Sequence, residues 1–244
     1  MIVDANPVAA EYQRSISEMS IASLTKHGKT SDVIGIKRIL MIAPTPFFAD
    51  RGCHVRILGQ AKALINSGHQ LTLCTYYLGR DVDGIPTERS LPVPWYHKLS
   101  PGPSWHKFYI DVLLLWKVFA ACRKARPDII HAHLHEGIVI GRIVSRWFGV
   151  PLVADIQGSL TDELLAHKFI PNIRWMINFV GWIEKRISRM PAHLIVSSRH
   201  TAQACIELYG VPADRVSSLM DGVDLQIFSP REKDLVLRAL LDIS

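Results

Sequence analysis

From residue 38 onward, short apolar segments alternate with longer segments in which apolar residues recur every three or four positions. The short segments are typical of strands buried on both faces of a parallel sheet. The longer ones are typical of helices that pack one side against such a sheet. The predicted strands are residues 38–43, 70–76, 128–133, 152–156, 193–198 and 216–219, and a less regular segment near 87–93 could form one more.

The predicted helices lie between these strands. They span residues 53–67, 105–126, 137–148, 172–189 and 201–209, and a shorter one begins near residue 162. Gly68, Gly149 and Gly210 follow three of them, as glycine commonly follows a helix C-cap. Strands that alternate with helices of ten or more residues predict an α/β fold with a doubly wound, mostly parallel sheet. We therefore expect a single Rossmann-like domain.

The first 36 residues lack this alternation. We interpret residues 1–36 as a flexible tail, because they contain acidic residues but no apolar block of the kind found in a secretory signal. No segment reaches the roughly 18 consecutive apolar residues that a bilayer span requires.

Composition and charge reduce the number of functions that the chain could have. With 48% hydrophobic and 20% charged residues, the chain is expected to be globular. A net charge of +6 suits nucleic acid, anionic lipid headgroups or phosphorylated substrates equally. The basic residues are scattered, so we do not expect nucleic acid to be a partner. The four cysteines are far apart and are expected to be reduced thiols in a cytoplasmic protein.

The loops after the strands are the candidate binding site, because ligands of such sheets lie outside the carboxyl ends of the strands. The first loop brings Gly52 to the N-terminus of the first helix, where the helix dipole favours an anion such as a phosphate. A glycine required only for a tight turn is the alternative. The chain contains neither a G-x-G-x-x-G fingerprint nor a P-loop motif.

His131, His133 and His135 alternate at the end of a predicted strand, so their side chains should share one side while the strand lasts. Two or three such histidines could ligate zinc. A strand-end histidine could equally donate a hydrogen bond to a substrate or transfer a proton, and packing in the core is the third interpretation. We favour substrate contact by at least one of them.

Polar residues follow the strand at 152–156. Gln157 and Gly158 could bind a ligand, whereas Ser159 could simply cap the next helix. Asp155 lies within the strand, and we expect it to bond neighbouring backbone. Ser198 is interpreted as the N-cap of the helix that follows it.

The helix at 172–189 carries Trp175, Phe179 and Trp182 beside several basic residues. It could lie on a membrane surface. We favour the alternative, in which its apolar side packs on the sheet and its charges are solvated.

Four segments in order resemble a known family. They are KRILMIAPTPFFADRGCHVRILGQAKALINSGHQLTL, RPDIIHAHLHEG, GVPLVADIQGSL and AHLIVSSRHTAQACIELYGVPADRVSSLMDGVDLQIFSP. Together, over residues 37–230, they resemble the N-terminal domain of family 4-like glycosyltransferases of the two-domain GT-B fold. Residues 231–244 resemble the start of the linker between the two domains.

This resemblance implies transfer of a sugar, with retention, from a nucleotide-sugar donor to a glycan or lipid-linked acceptor, without a further cofactor. The domain would bind the acceptor. The resemblance places His133 near the transferred sugar as the catalytic candidate. The substrate-binding candidates are Arg51, Gly52, His131, Gln157, Gly158 and Asp221.

The chain departs from the family pattern in two places. Gln157 stands where many members have histidine, and Arg51, Cys53 and His54 surround Gly52 where many members have two glycines and a glutamate. These departures predict a different acceptor and a less open phosphate loop.

The second domain of such enzymes holds most of the donor, and we expect it to be absent from this chain. The chain would then be inactive alone and need a separate donor-binding domain, because stabilising the leaving group requires charges at the developing phosphate. The alternative is a non-catalytic module that binds a glycan or lipid-linked sugar, and a zinc-dependent enzyme is a third hypothesis. Peripheral contact with the inner face of a membrane is a further alternative, which the basic charge and the tryptophan-containing helix leave open.

Overall fold

The computed structural model describes residues 35–97 and 105–222. The strands are β1 (Arg38–Ala43), β2 (Gln70–Thr75), β3 (Thr87–Arg89), β4 (Ile129–His133), β5 (Leu152–Ile156), β6 (His193–Val196) and β7 (Val216–Ser218). The helices are α1 (Gly52–Asn66), α2 (Lys107–Ala125), α3 (Leu134–Phe148), α4 (Leu160–Ala166), α5 (Arg174–Ser188) and α6 (Arg199–Glu207), and a 3₁₀ turn spans Ala213–Arg215. Most of the predicted tail and the whole predicted linker lie outside the described residues.

The strands form one seven-stranded sheet in the order β3-β2-β1-β4-β5-β6-β7. Every neighbouring pair is parallel. The predicted doubly wound, Rossmann-like α/β fold is therefore confirmed. The strand order reverses between β1 and β4, and such a switch point opens a crevice at the carboxyl ends of the strands.

Each strand divides its side chains between two apolar cores because successive residues point to opposite faces. On one face, Met41 and Leu73 pack with Ile57 and Ala61 of α1. On the other face, Leu40 and the neighbouring strands pack against α2, α3, α5 and α6. Among the described residues, α1 therefore covers the first face of the sheet. The other four of these helices form a layer on the second face.

The junction between β4 and α3 differs from the prediction. The helix begins at Leu134 and not at residue 137, so His133 ends the strand and His135 already belongs to the helix. Leu134 has a φ of 62°, in the left-handed region. Non-glycine residues seldom adopt this conformation, so no pattern in the sequence indicated the direct passage from strand to helix.

The predicted cap at Ser198 is confirmed, and Ser159 is also a cap, which was one of the two roles left open for it. Ser159 Oγ accepts from the Asp162 amide at 3.2 Å, and Ser198 Oγ accepts from the Thr201 amide at 3.1 Å. The third strand is shorter than the predicted 87–93 segment. None of the helices in the described part of the chain combines the length and apolarity needed to cross a membrane.

The helix at 172–189 packs on the sheet, as the favoured interpretation has it, but its aromatic residues do not face inward. The side of α5 that packs inward carries Val180, Glu184 and Ile187. Trp175, Phe179 and Trp182 are instead exposed to solvent. Apolar residues stand on more than one side of this helix, the aromatic ones on one side and aliphatic ones on another, so the sequence did not specify which side faces the sheet.

Candidate functional site

A cavity of about 350 Å³ opens at the carboxyl ends of β1, β4 and β5, beside the switch point of the sheet. Three predicted site residues line it, namely Arg51, Gln157 and Gly158. Gln157 and Gly158 directly follow β5, and Arg51 immediately precedes α1. The cavity therefore lies where the sequence pattern placed the binding site.

A partly buried ion pair forms one wall of the cavity. Lys107 Nζ, in the first turn of α2, lies 2.9 Å from Glu136 Oε1, in the first turn of α3. Burial by itself lowers the pKa of Lys107, but Glu136 outweighs it and the pKa is raised. Burial likewise opposes ionisation of Glu136, and Lys107 outweighs it, so the pKa of Glu136 is lowered. Both groups are thus charged at neutral pH.

Aromatic hydroxyl groups form the adjoining wall. Tyr76 and Tyr96 both line the cavity, and the Tyr76 hydroxyl donates to Asp111 Oδ1 at 2.6 Å. Burial raises the pKa of Asp111 to about 7, although the Tyr76 hydrogen bond opposes this shift. This wall consists of two tyrosines, and the carboxyl group that holds the Tyr76 hydroxyl titrates near neutrality.

His54 fixes the loop between β1 and α1. Its Nδ1 accepts from the Ala49 amide at 2.9 Å, so its Nε2 carries the proton and donates to Thr45 Oγ1 at 2.6 Å. Burial and the nearby Arg51 lower the pKa of His54 to about 4. The Thr45 carbonyl in turn accepts from Thr75 Oγ1. The loop that carries Arg51 into the cavity is therefore tied to the sheet by a neutral histidine.

Beneath the cavity, Arg56 of α1 holds two carboxylates from distant parts of the chain. Its Nη2 lies 2.6 Å from Asp155 Oδ1 and its Nε lies 2.9 Å from Asp155 Oδ2. Its Nη1 donates to the Leu219 carbonyl and to Asp221 Oδ1. Burial alone would raise the pKa of Asp155, but the hydrogen bonds from His133 and Arg56 lower it. The expectation that Asp155 bonds the neighbouring backbone was wrong, since these two side chains hold it.

His133 belongs to the same network. Its Nδ1 lies 3.2 Å from Asp155 Oδ2, both side chains are fully buried, and its Nε2 has no hydrogen-bond partner among the described residues. The His131 ring lies 4.6 Å from the His133 ring. Burial, with a smaller contribution from His133, lowers the pKa of His131 to about 3. His131 and His133 thus share one side of β4, as their spacing predicted, but neither of them lines the cavity.

His135 is separated from the other two histidines because it stands on α3. Its Nε2 lies 3.8 Å from Glu184 Oε1 of α5, and it lines the cavity. Glu184 also accepts from the Leu160 amide at 2.9 Å and from the Thr161 hydroxyl at 2.7 Å. The N-terminus of α4 is thereby fixed beside the cavity.

The remaining predicted residues have different positions. Gly52 is the exposed first residue of α1. Asp221 is largely exposed and meets Arg56 at the carboxyl end of the sheet. Among the described residues, no group of three or more His, Cys, Asp or Glu side chains is arranged to hold a metal ion. Asp221 is connected to His133 through Arg56 and Asp155, because Arg56 bonds both carboxylates and Asp155 also contacts His133.

Sequence reasoning missed Arg56, Lys107 and Tyr76. Arg56 stands in a helix that was predicted from the spacing of its apolar residues. A basic residue in such a helix is normally expected on the exposed side, so nothing in the sequence indicated that Arg56 is buried. Lys107 lies in the first turn of a predicted helix, and Tyr76 ends a predicted strand. The position of Tyr76 at a strand's carboxyl end was the one signal that could have identified it.

The sequence profile of the family described as glycosyl transferase 4-like domain matches residues 51–219. This match covers well over half of the chain. The chain belongs to this family. The matched range runs from Arg51 at the cavity to Leu219, whose carbonyl accepts from Arg56, so it contains nearly the whole site.

Curated relatives of this glycosyl transferase 4-like domain are longer proteins. It is 29% identical over 191 residues to D-inositol 3-phosphate glycosyltransferase of Thermomonospora curvata, which is 74% of this chain and 43% of that protein. It is 26% identical over 120 residues to UDP-Gal:alpha-D-GlcNAc-diphosphoundecaprenol alpha-1,3-galactosyltransferase of Escherichia coli, which is 49% of this chain and 30% of that protein. The chain thus spans less than half the length of each of these two relatives.

Solved structures share the fold. Sucrose-phosphate synthase from Thermosynechococcus elongatus matches with a TM-score of 0.63 at 17% identity, over 85% of this chain and 53% of that one. HepE of Anabaena in complex with UDP and glucose matches with a TM-score of 0.56 at 16% identity, over 84% of this chain and 50% of that one. The glycosyl transferase 4-like domain thus has the fold of the N-terminal domain of a GT-B glycosyltransferase.

Proposed function

We propose that this domain is the acceptor-binding half of a retaining glycosyltransferase that uses a nucleotide-sugar donor. The observation that carries the proposal is the cavity at the switch point, where a partly buried ion pair, two tyrosines and the backbone at Gly158 converge. Its volume of about 350 Å³ falls in the usual range for small-molecule sites. The binding of UDP and glucose by HepE, which shares the fold, supports the choice of donor.

The chemistry of the cavity suits a sugar. The ionised Glu136 carboxylate accepts hydrogen bonds from hydroxyl groups, and Lys107 donates them. The Tyr96 ring offers an apolar surface to the C–H face of a pyranose. Arg51 adds a positive charge at the cavity edge, which would stabilise a phosphate on the acceptor or donor. The acceptor is therefore proposed to be a glycan or lipid-linked sugar.

For His133 we propose the role near the transferred sugar. Asp155 accepts from Nδ1 and so leaves Nε2 free to act on a substrate hydroxyl. Since His133 is fully buried, the residues above it must move before a sugar can reach Nε2. Asp155 would act as a positioning residue, and Arg56 would hold Asp155 in turn.

The donor is proposed to bind mainly to a second domain that is not among the described residues. This domain would supply the charges for the leaving phosphate, so transfer is expected only when both domains are present. A second candidate function is a glycan-binding module without turnover. It rests on the same cavity, and it predicts binding of the acceptor but no transfer when a donor-binding domain is added.

The test is saturation-transfer NMR on the whole chain with a set of acceptor sugars and, separately, with UDP-glucose. We expect at least one acceptor sugar to bind, and Glu136→Gln to weaken its binding about tenfold, as expected for loss of one charged hydrogen bond. Tyr96→Ala should also weaken binding, because it removes the apolar surface against the sugar. Glu207→Gln, an exposed position on α6, is the matched control. Undiminished binding in both cavity variants, or binding of UDP-glucose alone with micromolar affinity, would contradict the proposal.

A further inference from the structure

All six tryptophans of the chain are more than half exposed, from 54% for Trp182 to 74% for Trp95 and Trp147. Tryptophan is highly buried on average in globular proteins. Single exposed apolar residues need no explanation, but large contiguous patches mark interaction sites. Six exposed tryptophans in one small domain therefore indicate a surface with a partner.

The exposed aromatic residues lie on one layer of the fold. Helices α2, α3 and α5 pack side by side on the same face of the sheet. We call their outer surface the tryptophan face, and it consists of Phe108, Val112, Trp116, Ile143, Trp147, Trp175, Phe179 and Trp182, with Trp105 at its edge.

Ring contacts connect this surface across the helices. Phe119 of α2 lies 5.8 Å from Trp147 of α3, and Trp105 lies 5.1 Å from Phe169, in the segment between α4 and α5. With helices of about 22–28 Å at 1.5 Å per residue, spaced about 10 Å apart, the tryptophan face is broad and nearly flat. On the opposite face of the sheet, α1 exposes one large apolar residue, Val55.

The charge on the same three helices has one sign. They contain nine Lys or Arg residues and three Asp or Glu residues, an excess of six that equals the net charge of the whole chain. Glu184 is buried, and Asp111 and Glu136 are partly covered and bonded to Tyr76 and Lys107. The exposed charges are Arg123, Lys124, Arg142, Arg146, Arg174 and Arg186.

Large apolar and basic side chains are neighbours on the exposed sides of α3 and α5. Arg142 and Arg146 flank Ile143 and Trp147 on the exposed stripe of α3, and the Arg186 guanidinium lies 5.2 Å from the Trp182 ring. Tryptophan favours the boundary between headgroups and acyl chains, and arginine favours anionic headgroups. A second copy of this chain would bring positive charge against positive charge, so the charge selects an acidic partner.

We propose that the tryptophan face docks on the surface of a bilayer that contains anionic lipid. The aromatic side chains insert to the level of the headgroup and acyl boundary, and the arginines contact the lipid phosphates. Trp105 and Lys107 are two residues apart, so the bilayer surface would lie beside the cavity. The proposal does not depend on the identity of the sugar acceptor.

The test is flotation of the whole chain with vesicles of phosphatidylcholine alone and of equimolar phosphatidylcholine and phosphatidylglycerol. We expect binding to the anionic vesicles, a blue shift of tryptophan emission, and weaker binding as salt is raised. The paired change Trp147→Ser and Trp182→Ser should weaken binding about tenfold or more, because each ring loses its burial in the bilayer.

A matched pair of charge reversals separates docking from simple attraction. Arg146→Glu on the tryptophan face should weaken vesicle binding about tenfold. Lys62→Glu on α1 makes the same change of charge at an exposed position on the other face, and it should change binding less than twofold. Circular dichroism of each variant confirms that it is folded.

Three results would overturn the proposal. The first is no binding to either kind of vesicle at physiological salt. The second is equal loss of binding in Arg146→Glu and Lys62→Glu, which would indicate attraction by net charge without a defined face. The third is self-association of the chain, abolished by the tryptophan changes, without vesicle binding, which would assign the face to a protein contact.

Discussion

Arg56 and Asp155 are 99 positions apart in the sequence, yet Nη2 of the first lies 2.6 Å from Oδ1 of the second, with both side chains almost fully buried. This pair joins α1 to β5 below the cavity. Through Asp155 it reaches His133, and through the second guanidinium nitrogen it reaches Asp221. The site is thus supported by one arginine from the helix that follows its first loop.

Breaking this pair should strongly destabilise the domain. Removing one member leaves the other charge buried without its partner, so Arg56→Met and Asp155→Asn are each expected to cost about 3–5 kcal/mol. The double variant should cost less than the sum of the two. The exposed pair between Arg38 and Asp128, at 3.0 Å, is the control, and its loss should cost about 0–1 kcal/mol. Urea unfolding measures the loss of stability in the two single variants, the double variant and the control. Equal losses at the buried and the exposed pair would contradict the expected effect of burial.

The Asp111 carboxyl should make stability depend on pH. Burial raises its pKa from 3.8 to about 7 in the folded state, so between these values the folded protein binds more protons than the unfolded one. Its contribution to the free energy of unfolding therefore falls as pH rises from 4 to 7. Asp111→Asn should make that decline smaller.

Urea unfolding at several pH values tests this dependence. Asp83→Asn, at an exposed loop position, is the control and should retain the decline. If Asp111→Asn and the unchanged protein gave parallel curves between pH 4 and 7, the carboxyl would not be the group responsible.

Two glycines in helices should respond oppositely to alanine. A Cβ at Gly141 of α3 would lie 2.8 Å from Leu152 Cδ1 and 3.2 Å from Ala132 Cβ, so Gly141→Ala should cost about 1–3 kcal/mol through overpacking. A Cβ at Gly59 of α1 meets nothing within 4 Å, and Gly59→Ala should stabilise by about 0.5–1 kcal/mol. Thermal unfolding of both variants checks the signs, and stabilisation by Gly141→Ala would show that α3 does not approach the sheet this closely.

Glu184 should control the order of α4. It accepts from the Leu160 and Thr161 amides and from the Thr161 hydroxyl. Hydrogen bonds to a charged group contribute about 1.5–3 kcal/mol each, so Glu184→Ala should speed hydrogen exchange of these two amides about tenfold or more. Glu184→Gln retains one carbonyl oxygen and should give an intermediate rate. Unchanged exchange in the alanine variant would mean that α4 is held by other contacts.

The sequence determined the order of strands and helices and the edge of the sheet where the site lies. Alternating apolar segments require a parallel sheet, and the residues that follow each strand then meet at one edge. Arg51, Gln157 and Gly158 were found in this way, and each of them lines the cavity. Ser159 and Ser198 were identified as caps because capping depends on residues only three positions away.

What the sequence could not give was the direction of each helix and the partners of its polar residues. In α2, apolar residues stand on both sides, and packing turns Ile110 and Leu114 inward and leaves Phe108 and Trp116 in solvent. A period of 3.6 reveals a helix, but it fixes the inward side only when the other side is polar.

Only the tertiary structure brought Arg56 to Asp155, covered His133 and placed four of the six tryptophans on one surface with a fifth at its edge. These relationships join residues from separate elements, and they depend on the order of the strands in the sheet and on the rotation of each helix about its axis. A local pattern carries neither quantity, because both are set by the packing of all the elements together.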